Sequence, residues 1–173
     1  MAIDVTQGHA IAPVNGRFIA ATFLVAFVVG LMPWRDLRGV PDLMMLAVAF
    51  WCVHQPRRIG FAIPFALGLL IDTANGALMG QHALAYSVLA FIAMALNRRI
   101  LWFPLWPQAL HILFILLFVD LLTLSVRMMA GAEFPGLTYF LGSFINAGLW
   151  PLATVVLVAH QRRSVPGDEA RGL

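Results

Sequence analysis

Two aspartates and one asparagine lie inside apolar stretches, where a polar side chain is costly. Asp72 follows "FAIPFALGLLI", Asp120 lies within "HILFILLFVDLLTL", and Asn146 lies within "FLGSFINAGLW". A charged acid at the centre of a bilayer costs at least about 2.5–3.5 kcal/mol, and no arginine or lysine lies inside these stretches to offset that cost. We therefore predict that at least one of the two acids is protonated, or that they share a proton, hydrogen-bonded to Asn146.

Few other residues are arranged for chemistry. The sequence contains no Ser/His/Asp arrangement, no HExxH motif and no glycine loop that would hold a phosphate. Cys52 is the single cysteine and lies in an apolar run, so we expect a small core residue. His111, about one turn into an apolar stretch, is predicted to be an interfacial histidine with satisfied hydrogen bonds. We expect no catalytic residues, no metal and no cofactor.

The composition is typical of an integral membrane protein. Only 11% of the 173 residues are charged and 61% are hydrophobic, whereas a soluble domain carries about 25% charged residues. The net charge is +3, but the arginines fall mainly in short gaps between apolar stretches. That distribution predicts determinants of membrane topology and not a surface for nucleic acid. The expected surroundings are the lipid bilayer.

Six apolar segments predict six transmembrane helices, and the arginines support that number. The segments cover residues 18–33, 40–54, 61–80, 82–97, 105–127 and 137–160. The second and fourth are short for a span, which needs about 20 residues. Arginine pairs nevertheless follow the second, fourth and sixth segments, and the positive-inside bias places all three pairs in the cytoplasm: Arg57 and Arg58, Arg98 and Arg99, and Arg162 and Arg163.

The fold predicted from these segments is an all-α integral membrane protein, a six-transmembrane-helix bundle with both termini inside. Residues 18–160 would form the membrane domain, and residues 1–17 and 161–173 would be cytoplasmic tails. At 1.5 Å per residue, Asp72, Asp120 and Asn146 come out about 17–20 Å from the cytoplasmic side. This similar depth predicts one buried polar cluster.

Small residues recur every four positions around Asp72. Counting from Pro64, the series continues through Gly68, Asp72, Gly76 and Gly80. Small residues on one helical face let a neighbouring backbone approach closely. We predict a helix-packing or partner seam, joined across the contact by the acid. The alternative is a pathway for protons or ions, since acids inside membranes often mark transport routes.

Several short stretches resemble the rod shape-determining protein MreD family. They are Pro33-Trp34, "PDLMMLAVAFW" followed by "PRRIG", "FALGLLIDTANGALMG", "WPQAL", Asp120 and "INAGLWP", and together they cover about residues 18–160. The resemblance implies a fold like that of the substrate-binding subunits of energy-coupling-factor vitamin transporters.

The same resemblance implies a function. It implies a multi-pass inner-membrane protein that maintains rod shape without catalysis by helping to position lateral peptidoglycan synthesis. MreC would be its partner, with MreB, RodA and a class B penicillin-binding protein reached indirectly. A ligand-binding or transport subunit for a small or lipid-linked substrate is the alternative.

Overall fold

The computed structural model describes residues 15–32, 40–76 and 78–163, and its side chains as far as residue 159. Within these residues the chain is helical, which confirms the predicted all-α class. The α-helices are α1 (Gly16–Gly30), α2 (Leu43–His54), α3 (Pro56–Ile59), α4 (Ala62–Asn75), α5 (Gln81–Leu101), α6 (Leu105–Met129) and α7 (Leu141–Arg163). A short 3-10 helix, Leu137–Phe140, precedes α7. Most of the two predicted tails lies outside the described residues.

Each of the six apolar segments contains an α-helix of at least 12 residues, but the third is shorter than predicted. We expected it to continue to residue 80, whereas α4 ends at Asn75. Gly76 adopts the left-handed conformation, with φ 60°, and closes the helix. Gly80, with φ 97°, then precedes α5. Glycine takes positive φ without the steric cost that other residues meet there, so these two glycines mark the end of α4 and the start of α5.

Among the residues that the structure describes, three helices are long and apolar enough to cross a membrane by length and composition. They are α5, α6 and the segment Leu137–Ala159, which includes most of α7. Helices α1, α2 and α4 have 15, 12 and 14 residues. At 1.5 Å per residue they are about 18–22 Å long, which is less than the ~30 Å hydrocarbon core. Helix lengths therefore account for three spans, and six spans remain a proposal.

Helix α2 is the centre of the bundle. It packs against α1, α5 and α7, and all residues from Met44 to His54 are buried. A helix that is apolar all round is suited to burial on every side. Cys52 lies here with 0% exposure, in agreement with the predicted core role.

Two tryptophans also belong to the core. Trp51 and Trp150 are both 0% exposed, although tryptophan in membrane proteins is enriched at the membrane surface. The ring of Trp51 packs edge-on against Phe18 and Phe50, at centroid distances of 5.8 and 5.0 Å. The bundle is wide enough at this level to bury both indoles.

The helices run alternately up and down, so the bundle has two distinct ends. One end, called here the arginine end, carries Arg57 and Arg58 in α3 and Arg98 and Arg99 in the last turn of α5. The last residues of α7, Arg162 and Arg163, are directed to the same end, but their side chains lie outside the description. The opposite end is called the cavity end. The C-terminal ends of α1, α4 and α6 and the N-terminal ends of α2, α5 and α7 lie there.

Candidate functional site

A cavity of about 1290 Å³ occupies the cavity end of the bundle. Helices α1, α2, α4, α5, α6 and α7 all contribute to its lining. Its apolar lining comes mainly from the end of α1 and the start of α2, including Leu31, Met32 and Met44. Its polar lining comes from Asp42 and from α4 to α7, and includes Asp120, Asn146, Tyr86, His82 and Arg127.

Asp42 joins three helices around this cavity. As the residue before α2, it accepts a hydrogen bond at Oδ1 from the backbone N–H of Met45, 2.9 Å away. Its Oδ2 accepts from the Tyr86 hydroxyl of α5 at 2.8 Å, and its backbone oxygen accepts from Asn146 Nδ2 of α7 at 3.1 Å. One residue thus caps α2 and connects it to α5 and α7.

The sequence-based prediction did not include Asp42 in the polar cluster. A signal was available, because an aspartate directly before an apolar run is a typical helix N-cap. Its partner Tyr86 gave no comparable signal, since a tyrosine in an apolar helix is most simply a packing residue. The hydrogen bond between them spans 44 positions of the chain.

Helices α6 and α7 present polar residues to each other along the cavity wall. On α6, Thr123 and Arg127 lie one and two turns beyond Asp120, and all three line the cavity. On α7, Ser143 donates a hydrogen bond to Asp120 Oδ2, and Asn146 follows one turn later. Residues three or four positions apart share a helical face, so the two faces meet at the cavity.

Asn146 lies at this wall with half of its amide unsatisfied. The residue is 1% exposed and lines the cavity. Its Nδ2 is held by the backbone oxygen of Asp42, while its Oδ1 has no hydrogen-bond partner among the described residues. A buried acceptor without a donor is unfavourable by about 1–3 kcal/mol. This oxygen could therefore accept a hydrogen bond from a bound molecule.

Asp72 has a different role at the junction of α4 and α5. Its carboxylate accepts hydrogen bonds from the backbone N–H groups of Gly80 and His82, both at 2.9 Å, and of Ala83 at 3.3 Å. The His82 ring nitrogen Nδ1 lies 2.7 Å from Oδ1. The first N–H groups of a helix have no partner within it, so Asp72 caps α5 from the preceding helix.

The predicted cluster of three residues is therefore only partly present. The structure brings Asp120 and Asn146 to one cavity wall, where they have different hydrogen-bond partners. Asp72 is buried at the α4–α5 junction, in the last turn of α4, and binds the start of α5. Within the described residues, the predicted hydrogen bond from the two acids to Asn146 is not formed. The helix was expected to continue past residue 75, which placed Asp72 too far from a helix end.

The predicted glycine seam is also corrected. A Cβ atom on Gly68 would lie 2.4 Å from the Ala83 Cα and 2.5 Å from the His82 backbone oxygen. Gly68 therefore permits close helix packing, as one of the two predicted alternatives required, and its neighbour is α5 of the same chain. Gly76 and Gly80 have no atom within 4 Å of such a Cβ, because both belong to the turn that follows α4.

The histidines and acids were also compared with the requirements of a metal site. Among the residues that the structure describes, no group of three or more His, Cys, Asp or Glu side chains could hold an ion. His111 places Nδ1 2.8 Å from the Pro107 oxygen and stacks on Phe103, which agrees with the predicted satisfied histidine. The polar side chains that line the cavity carry carboxylate, amide, hydroxyl, imidazole and guanidinium groups.

Comparison with known proteins relates this architecture to one family. The family model for the rod shape-determining protein MreD matches residues 14–158. The chain belongs to the MreD family. This result confirms the resemblance seen in the sequence, and the MreD match includes Asp42, Asp72, Asp120 and Asn146.

A curated MreD relative supports the same assignment. The rod shape-determining protein MreD of Haemophilus influenzae is 29% identical over 150 residues, which cover 84% of this chain and 91% of that protein. No solved structure matched the chain significantly. MreD family membership implies a part in determining rod shape.

Proposed function

We propose that this MreD family protein is a non-catalytic, multi-pass subunit of the bacterial inner membrane that maintains rod shape by binding MreC. Through MreC it would help to position lateral peptidoglycan synthesis and would be linked indirectly to MreB, RodA and a class B penicillin-binding protein. The observation that carries the proposal is the MreD match over residues 14–158.

The proposed topology has six membrane-embedded helices with both termini in the cytoplasm. Large exposed apolar side chains support contact with lipid on several helices, among them Phe91, Phe114 and Leu152. The short helices α1, α2 and α4 would complete the membrane domain of residues 18–160, with α2 surrounded by its neighbours. The arginine end would face the cytoplasm, and the tails 1–17 and 161–173 would lie there too. A likeness to the substrate-binding subunits of energy-coupling-factor transporters is part of this proposal.

Complementation tests the function directly. A rod-shaped bacterium depleted of its own MreD would express this chain with a compatible MreC. We expect cells to remain rods and MreC to co-purify with the chain, whereas empty-vector cells become round. Round cells that nevertheless contain the folded chain in the membrane would refute the assigned role. Rods without MreC co-purification would refute the partner.

Reporter fusions test the topology. We expect fusions after Gly60 and Pro104 to report a cytoplasmic position and a fusion after Gly131 to report a periplasmic one. A periplasmic report at Gly60 or Pro104 would contradict the six-helix topology.

A second candidate function is a ligand-binding or transport subunit for a small or lipid-linked substrate. The observation in its favour is the cavity of about 1290 Å³ with its polar wall. Ligand-dependent stabilisation of the purified protein would favour this reading. A scaffold that acts only through MreC needs no such ligand.

A further inference from the structure

We propose that the cavity is a binding site for a molecule that carries a primary ammonium group, with Asp120 and Asn146 as the recognising residues. This inference goes beyond the scaffold role, since binding of MreC requires no small ligand. It rests on which acceptors the protein has already satisfied and on the distribution of charge along the cavity.

The carboxylates of Asp42 and Asp120, which both line the cavity, differ in how many further hydrogen bonds they can accept. Both oxygens of Asp42 already accept hydrogen bonds, from Met45 and from Tyr86. Asp120 accepts from the Ser143 hydroxyl through Oδ2. An ionised carboxylate has about four acceptor positions on its two oxygens. The Asp42 carboxylate is therefore used to hold the helices together, whereas the Asp120 carboxylate can still accept hydrogen bonds from a ligand.

Asn146 supplies a second acceptor beside Asp120. Its Nδ2 is directed at the Asp42 backbone oxygen, which turns Oδ1 to the other side of the amide. That oxygen is buried and has no partner in the described part of the chain. Ser143, which contacts Asp120, is one helical turn from Asn146, so the side chains of Ser143 and Asn146 are neighbours on α7. Because Asp120 and Asn146 both line the cavity, a group with several N–H donors would satisfy both acceptors in the proposed complex.

The charges along the wall favour a cation at this position. The backbone of Arg127 lies seven residues beyond Asp120, or about 10 Å along α6, and its guanidinium interacts with the Tyr139 hydroxyl. His82 is engaged by Asp72. The inner wall around Asp120 therefore combines a carboxylate with amide and hydroxyl groups. A primary ammonium presents three donors and a positive charge, and charge-assisted hydrogen bonds are stronger than neutral ones. An anion in the cavity would instead be repelled by the carboxylates of Asp42 and Asp120.

The apolar lining indicates that the ligand also has an apolar part. Leu31, Met32 and Met44 line the cavity with the polar residues. The volume exceeds the ~300–1,000 Å³ of ordinary small-molecule pockets. The ammonium could therefore belong to a soluble amine or to the headgroup of a lipid, and these two sources share the same recognition chemistry.

Thermal unfolding of the purified full-length protein in detergent tests the recognition chemistry with three probes of similar size. Ethanolamine is a cation, ethylene glycol is neutral and glycolate is an anion. We expect ethanolamine to stabilise the protein most and glycolate least. Greatest stabilisation by glycolate would overturn the proposal. Equal effects of all three probes would also overturn it, unless phosphatidylethanolamine stabilises the protein in the lipid experiment below.

Single-residue variants test which residue binds the ammonium group. Asp120→Asn removes the charge with almost no change in shape, and we expect its affinity for the ammonium ligand to fall about tenfold, as for loss of one charge-assisted hydrogen bond. Glu133→Gln removes an exposed acid outside the cavity lining and should bind like wild type. Ser143→Ala frees Asp120 from its hydroxyl donor and should retain or increase affinity. Equal losses in Asp120→Asn and Glu133→Gln would overturn the assignment to Asp120.

An experiment with lipids distinguishes the two sources of the ammonium group, a soluble amine and a lipid headgroup. The protein is reconstituted in nanodiscs of phosphatidylglycerol with or without phosphatidylethanolamine. Stabilisation by ethanolamine in detergent identifies a soluble amine, and stabilisation only by phosphatidylethanolamine that Asp120→Asn abolishes identifies a headgroup. Either result supports the proposal. Stabilisation by sodium ions alone, with no response to either amine, would overturn it in favour of a metal-cation site.

Discussion

Replacing Gly68 with alanine would place a methyl group inside the closest contact between α4 and α5. The new Cβ would lie 2.4 Å from the Ala83 Cα, 2.5 Å from the Ala83 nitrogen and 2.5 Å from the His82 oxygen. These are backbone atoms of α5, so no side chain can rotate away. Favourable carbon–carbon contacts require about 3.5–4.0 Å, which means that the two helices must separate by roughly 1 Å.

The structure sets a range for the stability that Gly68→Ala would lose. Overpacking a well-packed contact typically costs about 1–3 kcal/mol, and a backbone obstacle favours the upper end. Separation would also stretch the 2.9 Å hydrogen bonds from Gly80 and His82 to Asp72, one turn from Gly68. Alanine recovers up to about 1 kcal/mol of helix propensity. We therefore expect the free energy of unfolding to fall by about 2 kcal/mol or more.

Gly148 provides a matched control for the same measurement. It lies within α7, and a Cβ there would have no atom within 4 Å. Gly148→Ala should leave stability unchanged or raise it slightly, since only helix propensity changes. The assay is thermal unfolding in one detergent, where we expect Gly68→Ala to melt about 4–8 °C lower. Equal melting temperatures for the two variants would refute the close contact and the argument built on it.

Three further measurements test other parts of the structure. Asp72→Asn should lower the free energy of unfolding by about 2–3 kcal/mol, because the amide cannot accept all the donors at the start of α5; an unchanged melting curve would contradict the cap. Tyr86→Phe removes the hydrogen bond to Asp42 and should cost about 1–2 kcal/mol; stability equal to wild type would show that this bond contributes nothing. Cys52, at 0% exposure, should react with a maleimide only after denaturation in SDS, and rapid labelling of the folded protein would rule out its burial.

The helices were predictable because hydropathy is a local property of the chain. Each apolar segment contains a helix, although the third was predicted to continue to residue 80 and α4 ends at Asn75. The four-residue spacing of glycines was misleading there, because Gly76 and Gly80 have positive φ and belong to the turn. Spacing alone does not distinguish a glycine that permits helix contact from one that ends a helix.

The environment of each helix was less predictable than its existence. Helix α2 is apolar on all sides, a pattern that suits either lipid or a protein interior, and only its neighbours α1, α5 and α7 show that it is the core. Asp42 could have been recognised as an N-cap, but its connections to Tyr86 and Asn146 could not. Ser143, the partner of Asp120, is one hydroxyl in an apolar stretch and gives no signal by itself.

The sequence alone determined the membrane class of this protein, its helical segments, the arginine distribution and its likeness to MreD, because these depend on composition and on residues close together in the chain. Only the tertiary structure decided that Gly68 contacts α5, that Asp72 caps that helix, and that Asp42, Asp120 and Asn146 surround one cavity. Asn146 and Asp42 are 104 positions apart. Their pairing depends on how whole helices pack and on which polar groups those helices leave without partners, and no short stretch of sequence contains that information.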